Sequence, residues 1–272
     1  MSKEKFQYCL HLADNALILG QRNSEWTGHG PVLEQDIAIT NISLDLFGQA
    51  RNFFQYAAEL YNDFSEKEKK DVDDLLPRPW KKYERELEED DLAFLRDANQ
   101  YLNVLLVELP KGDWAVSVLR QCFFSALQSL QFRELVSSSD ARLAAIAEKS
   151  LKEVAYHLKW SGEWVIRLGD GTEESRRRLL AALDTLWVYT GEMMQPASFE
   201  VAAAENGFGI DMSSLKEEWL QQIASVFELA TISVPQKSWM QKGGKEGIHT
   251  EHLGYLLTEM QFLQRTYPNV TW

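Results

Sequence analysis

Side chains that can bind metals or transfer protons recur one helical turn apart in this chain of 272 residues. Asp45 and Gln49 stand four residues apart in one segment, and Glu153 and His157 stand four residues apart in another. Residues at this spacing share one face of a helix, so the members of each pair project into the same space. Carboxylates and an imidazole that converge between helices could hold a metal pair or act as a general acid and base.

Both pairs interrupt stripes of apolar residues that recur at steps of three and four. Such stripes face the interior of a helical bundle, where an unpaired carboxylate or imidazole is costly. Asp14 lies beside a similar stripe on the first predicted helix. Gln128 and Glu134 are the corresponding candidates on the predicted helix over residues 113–137. The candidate cluster draws on four helices and contains Asp14, Asp45, Gln49, Glu134, Glu153 and His157.

A di-iron carboxylate centre is the first interpretation of this cluster. Such a centre takes one Glu from each of two helices and a Glu-x-x-His motif from each of the other two. The spacing departs from that pattern, because Val154 stands three residues before His157 and Gly48 stands three residues after Asp45. We therefore expect a metal-free cluster whose members hydrogen-bond to one another. The alternatives are an unusual metal site and a wrong assignment of the helix faces that point inward.

A glycine-rich loop, Lys242-Gly243-Gly244-Lys245, precedes the last predicted helix. Its backbone N–H groups and two lysines could hold a phosphate or the diphosphate of coenzyme A, although its spacing matches neither a P-loop nor a dinucleotide fingerprint. An ordered structural or interface loop is the alternative interpretation. The same loop contains one Glu-x-x-His motif, residues 246–249, which lies outside any long helix and which we expect to be a coincidence.

The elements that position these residues follow from helical apolar spacing and from sparse glycine and proline. We predict an all-α, ferritin-like antiparallel four-helix bundle with additional C-terminal helices. One domain, residues 1–272, would contain the bundle at about 3–168 and accessory helices at about 172–266. The predicted helices cover residues 3–20, a second helix through about 61, 92–109, 113–137, one capped by Ser139 or Asp140 that runs to 168, 172–194, 196–205, 213–232 and 250–266. The charge-dense segment 62–91 is predicted to be a solvated loop with short helical pieces.

Composition argues against several classes of partner. Lys and Arg number 28 against 41 Asp and Glu, and the resulting net charge of −13 disfavours nucleic acid or an anionic membrane surface as the main partner. No stretch is apolar over the roughly 18 residues that a membrane span needs, and the first residues are charged where a secretory signal is apolar. We expect a cytoplasmic protein. Cys9 and Cys122 lie in apolar helical patterns, which favours reduced core thiols.

Three segments resemble a known family. Residues 12–60, which begin LADNALILGQRNSEWTGHGPVLEQD, are similar to the signature of the C subunits of bacterial phenylacetyl-CoA epoxidases, the ring 1,2-monooxygenases of aerobic phenylacetate degradation. Residues 152–172, KEVAYHLKWSGEWVIRLGDGT, resemble the fourth bundle helix of these subunits, and residues 243–265, GGKEGIHTEHLGYLLTEMQFLQR, resemble their C-terminal helix. The charged segment 62–91 is longer than this resemblance leads us to expect.

The resemblance implies a division of labour in a multicomponent oxygenase. A catalytic A subunit holds the di-iron centre and binds the acyl-CoA, while the C subunit shares its fold, lacks the metal and forms a stable complex with A. A small B subunit and a reductase with FAD and an iron–sulfur cluster complete the system, which consumes NADPH and oxygen. We therefore expect no cofactor or catalytic residue in this chain, and the A subunit and the other subunits as its partners.

Two further expectations concern assembly and the main alternative. Without its partner, a helical protein of this kind should form a twofold homodimer. The alternative function is an independent, metal-dependent ferritin-like oxygenase with a non-standard ligand set.

Overall fold

Twelve α-helices and several short 3₁₀ turns make up the computed structural model, which describes residues 2–236 and 239–270. No β-strand occurs within these ranges, and no helix in them is long and apolar enough to cross a membrane. The helices are α1 Ser2–Ser24, α2 Leu33–Asn62, α3 Glu66–Asp71, α4 Glu89–Phe94, α5 Leu105–Glu108, α6 Trp114–Leu135, α7 Ala141–Gly169, α8 Glu173–Leu186, α9 Ser198–Glu205, α10 Lys216–Leu229, α11 Glu251–Met260 and α12 Phe262–Thr266.

Four long helices, α1, α2, α6 and α7, form an antiparallel bundle. Short loops join α1 to α2 and α6 to α7 into two hairpins. Between the hairpins, Asn23 donates to Gln121 (2.6 Å) and Tyr56 donates to Asp140 (2.6 Å), which pairs α1 with α6 and α2 with α7. The connection from α2 to α6 crosses back over the length of the bundle, as one long connection does in ferritin-like folds. The predicted all-α, ferritin-like fold is confirmed.

Asp140 fixes the start of α7, as one of the two predicted caps. Its carboxylate accepts hydrogen bonds from the backbone N–H groups of Arg142 and Leu143 (3.1 Å each), which lack partners within the helix. The same carboxylate also accepts from Lys5 and from Tyr56 (2.6 Å each). This one side chain therefore joins the beginning of α7 to α1 and to α2.

The prediction of a single helix over residues 92–109 is wrong. α4 ends at Phe94 and α5 begins only at Leu105, and residues 101–104 between them are buried in extended backbone. Buried backbone outside a helix or sheet still needs a hydrogen-bond partner for each N–H and C=O group. Apolar spacing alone predicts a helix here, and it carries no information on whether another element supplies those partners.

Side chains of α1 supply them. The bonds run from His11 Nδ1 to the Leu102 carbonyl (2.6 Å), from the Leu102 N–H to Asp14 (2.8 Å) and from the Val104 N–H to Asn15 (2.9 Å). Asp14 also forms a fully buried ion pair with Arg96, and Arg96 donates to the carbonyl of Gln100 (2.8 Å). Tertiary hydrogen bonds to α1 therefore outweigh the local preference for helix.

The C-terminal helices cover the bundle. α8 and α10 pack on α6, and α9 packs on α1. Two predicted boundaries need correction, because the helix over residues 172–194 ends as α8 at Leu186 and the one over 250–266 divides into α11 and α12 at Gln261. The side chain of Gln261 is buried and donates to the carbonyl of Arg96 (2.8 Å), which anchors the break in the helix to the connection between α4 and α5.

We predict that Asp14→Ala lowers the free energy of unfolding by about 3–5 kcal/mol, because it leaves the Arg96 charge buried without a counter-ion. Urea denaturation measures the change. Glu134→Ala is the control, since the Glu134 side chain is half exposed and its loss should cost less than about 0.5 kcal/mol. Equal losses in the two variants would contradict this role for Asp14.

Candidate functional site

A chain of amide and carboxylate hydrogen bonds crosses the middle of the bundle between α6, α2 and α7. Gln128 Nε2 donates to Gln49 Oε1 (3.1 Å), and Gln49 Nε2 donates to Glu153 Oε2 (3.0 Å). Both glutamines are buried, whereas Glu153 is partly exposed. Gln49 thus uses both ends of its amide to connect two other helices.

One turn further along the same seam, Asp45 and His157 form a second pair. His157 Nε2 lies 3.0 Å from Asp45 Oδ2, and because a carboxylate only accepts, this ring nitrogen carries the proton. The His157 side chain is fully buried, while 37% of the Asp45 side chain is exposed. Among the described residues, His157 Nδ1 has no hydrogen-bond partner. The pair therefore links the bundle interior to its surface.

The other two candidates lie elsewhere. Asp14 faces Arg96 and the extended segment rather than the α2–α7 seam. Glu134 lies on the outside of α6, where it pairs with Arg133 (3.0 Å). The apolar spacing of α6 continues almost without interruption around the helix, so the spacing did not distinguish its inward face from its outward face.

The donor set at the seam does not fit a di-iron centre. Two of its members, Gln49 and Gln128, are neutral amides, and hard metal pairs in such bundles are held by carboxylates and histidines. Asp45, Glu153 and His157 remain, but Asp45 and His157 bond to each other and Glu153 is taken by Gln49. No three His, Cys, Asp or Glu side chains among residues 2–236 and 239–270 are arranged to hold a metal ion.

In the loop at residues 242–245, the backbone N–H groups that could bind a phosphate are bonded to a carboxylate of the same chain. The backbone N–H groups of Gly243 and Gly244 both donate to Glu192 Oε1 (2.7 Å each). Lys245 is buried and donates to Glu200 (2.8 Å), whereas Lys242 is more exposed. The donors that could bind a phosphate are used within the fold, so the geometry supports an ordered structural loop.

His249, the histidine of the motif at residues 246–249, takes part in a different buried pair. Its Nδ1 lies 2.7 Å from Glu108 Oε2, and its Nε2 lies 2.9 Å from the carbonyl of Tyr101. Both partners are acceptors, so both ring nitrogens donate and the imidazole is a cation. Burial lowers the pKa of His249, but the hydrogen bond and negative charge of Glu108 outweigh burial and raise the pKa overall.

Sequence reasoning missed the carboxylates of this second network, which are Glu108, Glu192 and Glu200. Each is nearly or fully buried, and each neutralises or caps a group that is distant in sequence. A usable signal was present, because Glu108 is the only charged residue between Tyr101 and Pro110. A lone charge in an apolar stretch indicates a buried partner, although it does not identify which.

Comparison with known proteins gives a match over the whole chain. A family model described as "Phenylacetic acid catabolic protein" matches residues 1–272. This chain belongs to that family. The family assignment confirms the resemblance found in the three sequence segments, and it agrees with the all-α, ferritin-like architecture.

One curated relative in this family is closely similar. The chain is 42% identical, over 265 residues, to the C subunit of the 1,2-phenylacetyl-CoA epoxidase of Escherichia coli (strain K12). The alignment covers 97% of this chain and 98% of the relative. The similarity therefore includes both the bundle and the C-terminal helices.

Gln49→Glu should destabilise the protein at neutral pH, because it places a second carboxylate against Glu153 in a partly buried seam. We expect a loss of about 1–3 kcal/mol near pH 7. Like charges raise the pKa of the pair, so this loss appears as pH rises through that raised value and is recovered near pH 4.5. Urea denaturation of both proteins at the two pH values measures it.

Gln55→Glu is the matched control for that variant. Gln55 donates to Glu89 at the same 3.0 Å, but the pair lies nearer the surface, so the loss should stay below about 1 kcal/mol. If both variants lose the same free energy, the amide of Gln49 has no special role in the seam.

The pair of His249 and Glu108 predicts a dependence of stability on pH. Since the folded pKa of His249 is raised, its contribution is complete below the unfolded pKa of about 6.5 and is lost as pH rises through the folded value. The stability advantage of the wild type over His249→Gln should therefore be largest below about pH 6.5 and shrink as the pH rises above it. Thermal unfolding measures it, with His29→Gln in an exposed loop as the control. A constant difference would contradict the cationic assignment.

Proposed function

We propose that this chain is the non-catalytic structural subunit of a multicomponent di-iron monooxygenase that epoxidises the ring of phenylacetyl-CoA, and that it stabilises a metal-bearing catalytic subunit. The observation that carries the proposal is the hydrogen-bonded chain from Gln128 through Gln49 to Glu153. It fills the middle of the bundle with neutral amides where a metal enzyme of this fold needs carboxylates.

The E. coli relative supports the proposal by its name, which makes it one subunit of a phenylacetyl-CoA epoxidase. A subunit requires partners, and we propose that these include a catalytic A subunit and the remaining subunits of the complex. The di-iron centre would lie in the A subunit, and FAD, an iron–sulfur cluster and NADPH would be bound by a reductase. Because coenzyme A thioesters are intracellular metabolites, we propose a cytoplasmic location.

The buried ionic networks support a scaffolding role. Asp14 with Arg96, Glu108 with His249, and Glu200 with Lys245 connect parts of the chain that are far apart in sequence. Buried pairs of this kind are costly to break, which favours one fixed arrangement of the bundle and its C-terminal helices. A rigid surface is what a stabilising partner must offer. When the catalytic subunit is absent, we propose that the chain forms a twofold homodimer.

Reconstitution tests the proposal. We expect the catalytic subunit, the small subunit and the reductase to convert phenylacetyl-CoA only when this chain is added. Asp45→Asn and Glu153→Gln, which keep side-chain shape but remove charge, should support the same epoxidation rate as the wild type, because the proposal gives these carboxylates no contact with substrate or metal. Product formation by mass spectrometry, with NADPH oxidation alongside, measures both results.

Two outcomes would contradict the proposal. Full epoxidation without this chain would remove the structural role. Loss of product with either isosteric variant, in a complex that still assembles, would assign chemistry to the seam and favour the independent oxygenase.

A further inference from the structure

An exposed, largely apolar face runs along the first half of α2. Leu33, Ile37 and Leu44 are 72%, 52% and 60% exposed, and Leu33 is the most exposed large apolar side chain in the described part of the protein. The eight residues from Ile37 to Leu44 include no charged side chain, although a quarter of the whole sequence is charged. Exposed apolar surface along one helix face marks a contact with another molecule. The α2 face, as we call it, consists of Leu33, Ile37, Asn41, Leu44 and Gly48.

Gly48 is the second observation on this face. It lies in the middle of a helix of 30 residues, it is exposed, and a Cβ built on it meets no atom within 4 Å. Glycine weakens a helix interior by about 0.5–1 kcal/mol relative to alanine, so a glycine here has a cost without a benefit inside the chain. Gly20 shows the contrast, since a Cβ there would meet Phe47 at 2.8 Å. The absence of a side chain leaves room for another molecule to approach α2 closely at Gly48.

We propose that the α2 face is the interface of a homodimer in which α2 packs antiparallel against the α2 of a second copy. The apolar positions and Gly48 are symmetric about a midpoint between Thr40 and Asn41. Leu33 lies as far before that midpoint as Gly48 lies after it, and Ile37 lies as far before it as Leu44 lies after it. A twofold axis at the midpoint therefore sets Leu33 against the partner's Gly48, a large side chain against a position with none.

A pocket beside the α2 face fits this arrangement. It has a volume of about 240 Å³ and lies between α1, α2 and α4, with apolar walls that include Leu17, Phe47, Ala50 and Phe54. Phe47, the residue before Gly48, is one of its walls, and Arg51, Glu89 and Asp90 also line it. The antiparallel register brings the partner's Leu33 toward this end of α2, so in the proposed dimer the exposed leucine of each copy packs beside the apolar pocket of the other.

The lack of charge on the α2 face favours a second copy of this chain as the occupant over a basic partner. The chain carries −13, so two copies repel each other unless the contacting surfaces are neutral. The α2 face is uncharged between Asp36 and Asp45, and both of these carboxylates already have partners within the chain. Asp36 accepts from backbone N–H groups of the preceding loop, and Asp45 accepts from His157. Two acidic copies can therefore meet here, whereas a basic partner would gain nothing from this face.

Disulfide trapping tests the register. Leu33 and Gly48 are separated by roughly 22 Å along one helix, so a Leu33→Cys/Gly48→Cys protein cannot bridge the two positions within one chain. Oxidation by oxidised glutathione should give a covalent dimer, whose peptide map joins position 33 of one copy to position 48 of the other. Leu229→Cys/Gly48→Cys is the control, because Leu229 is 63% exposed but lies on α10, away from the α2 face. The native Cys9 and Cys122 are fully buried and should not interfere.

Sedimentation equilibrium gives the second readout. Leu44→Glu should raise the dimer dissociation constant by about 100-fold, whereas Leu229→Glu should leave it unchanged. Gly48→Leu should weaken the dimer while it raises the unfolding temperature of the monomer, because it fills the space for the partner's leucine but improves the isolated helix. Circular dichroism confirms that each variant is folded.

The inference builds on the proposed homodimer and on the proposed scaffold role. The results of these experiments distinguish a failure of the α2 interface from a failure of either proposal. A dimer that survives Leu44→Glu and gives no 33-to-48 disulfide would overturn the α2 interface and leave the homodimer standing. A wild-type chain that stays monomeric at tens of micromolar would overturn both. If Leu44→Glu lowers binding of the catalytic subunit while the isolated chain is monomeric, that subunit occupies the face and the inference is wrong. The reconstituted epoxidation tests the scaffold role separately.

Discussion

The buried, non-helical backbone of residues 101–104 is the constraint on which the rest of the structure depends. Its N–H and C=O groups lie away from water, so every one that goes unpaired destabilises the fold. His11, Asp14 and Asn15 of α1 pair with this segment, and Asp14 is held in place by Arg96. One face of α1 is therefore committed to supporting this segment. The polar side chains of α1 that could have been metal ligands point toward residues 101–104 and Arg96, so they have a structural role.

The same principle explains the bundle seam. Gln128 pairs with Gln49, and Gln49 pairs with Glu153. The remaining pair joins the buried His157 to the partly exposed Asp45. Amides satisfy each other at a lower electrostatic cost than facing carboxylates, which need a cation between them. We propose that a bundle built in this way keeps the architecture of a metal-binding bundle while its central amides take the positions of charged ligands.

Local signals predicted the long helices well, because each carries its own apolar spacing and cap. Asp140 began α7 as expected, and the pairs at Asp45 and His157 and at Gln49 and Glu153 came together across α2 and α7. The segment 92–109 failed, since its conformation is set by α1 and not by its own spacing. The sequence also put Asp14 and Glu134 on the correct helices. It did not predict which way each side chain points, because that depends on neighbouring elements that the sequence does not identify.

Our central proposal is that this chain carries no working metal centre and acts through its shape. Iron content measures it most directly. The chain should be purified from iron-replete cells, both alone and together with its catalytic partner, and assayed by inductively coupled plasma mass spectrometry. The account predicts no iron above the buffer level in the isolated chain, and iron in the complex in proportion to the partner alone. Stoichiometric iron in the isolated chain, lost on Asp45→Ala, would contradict it.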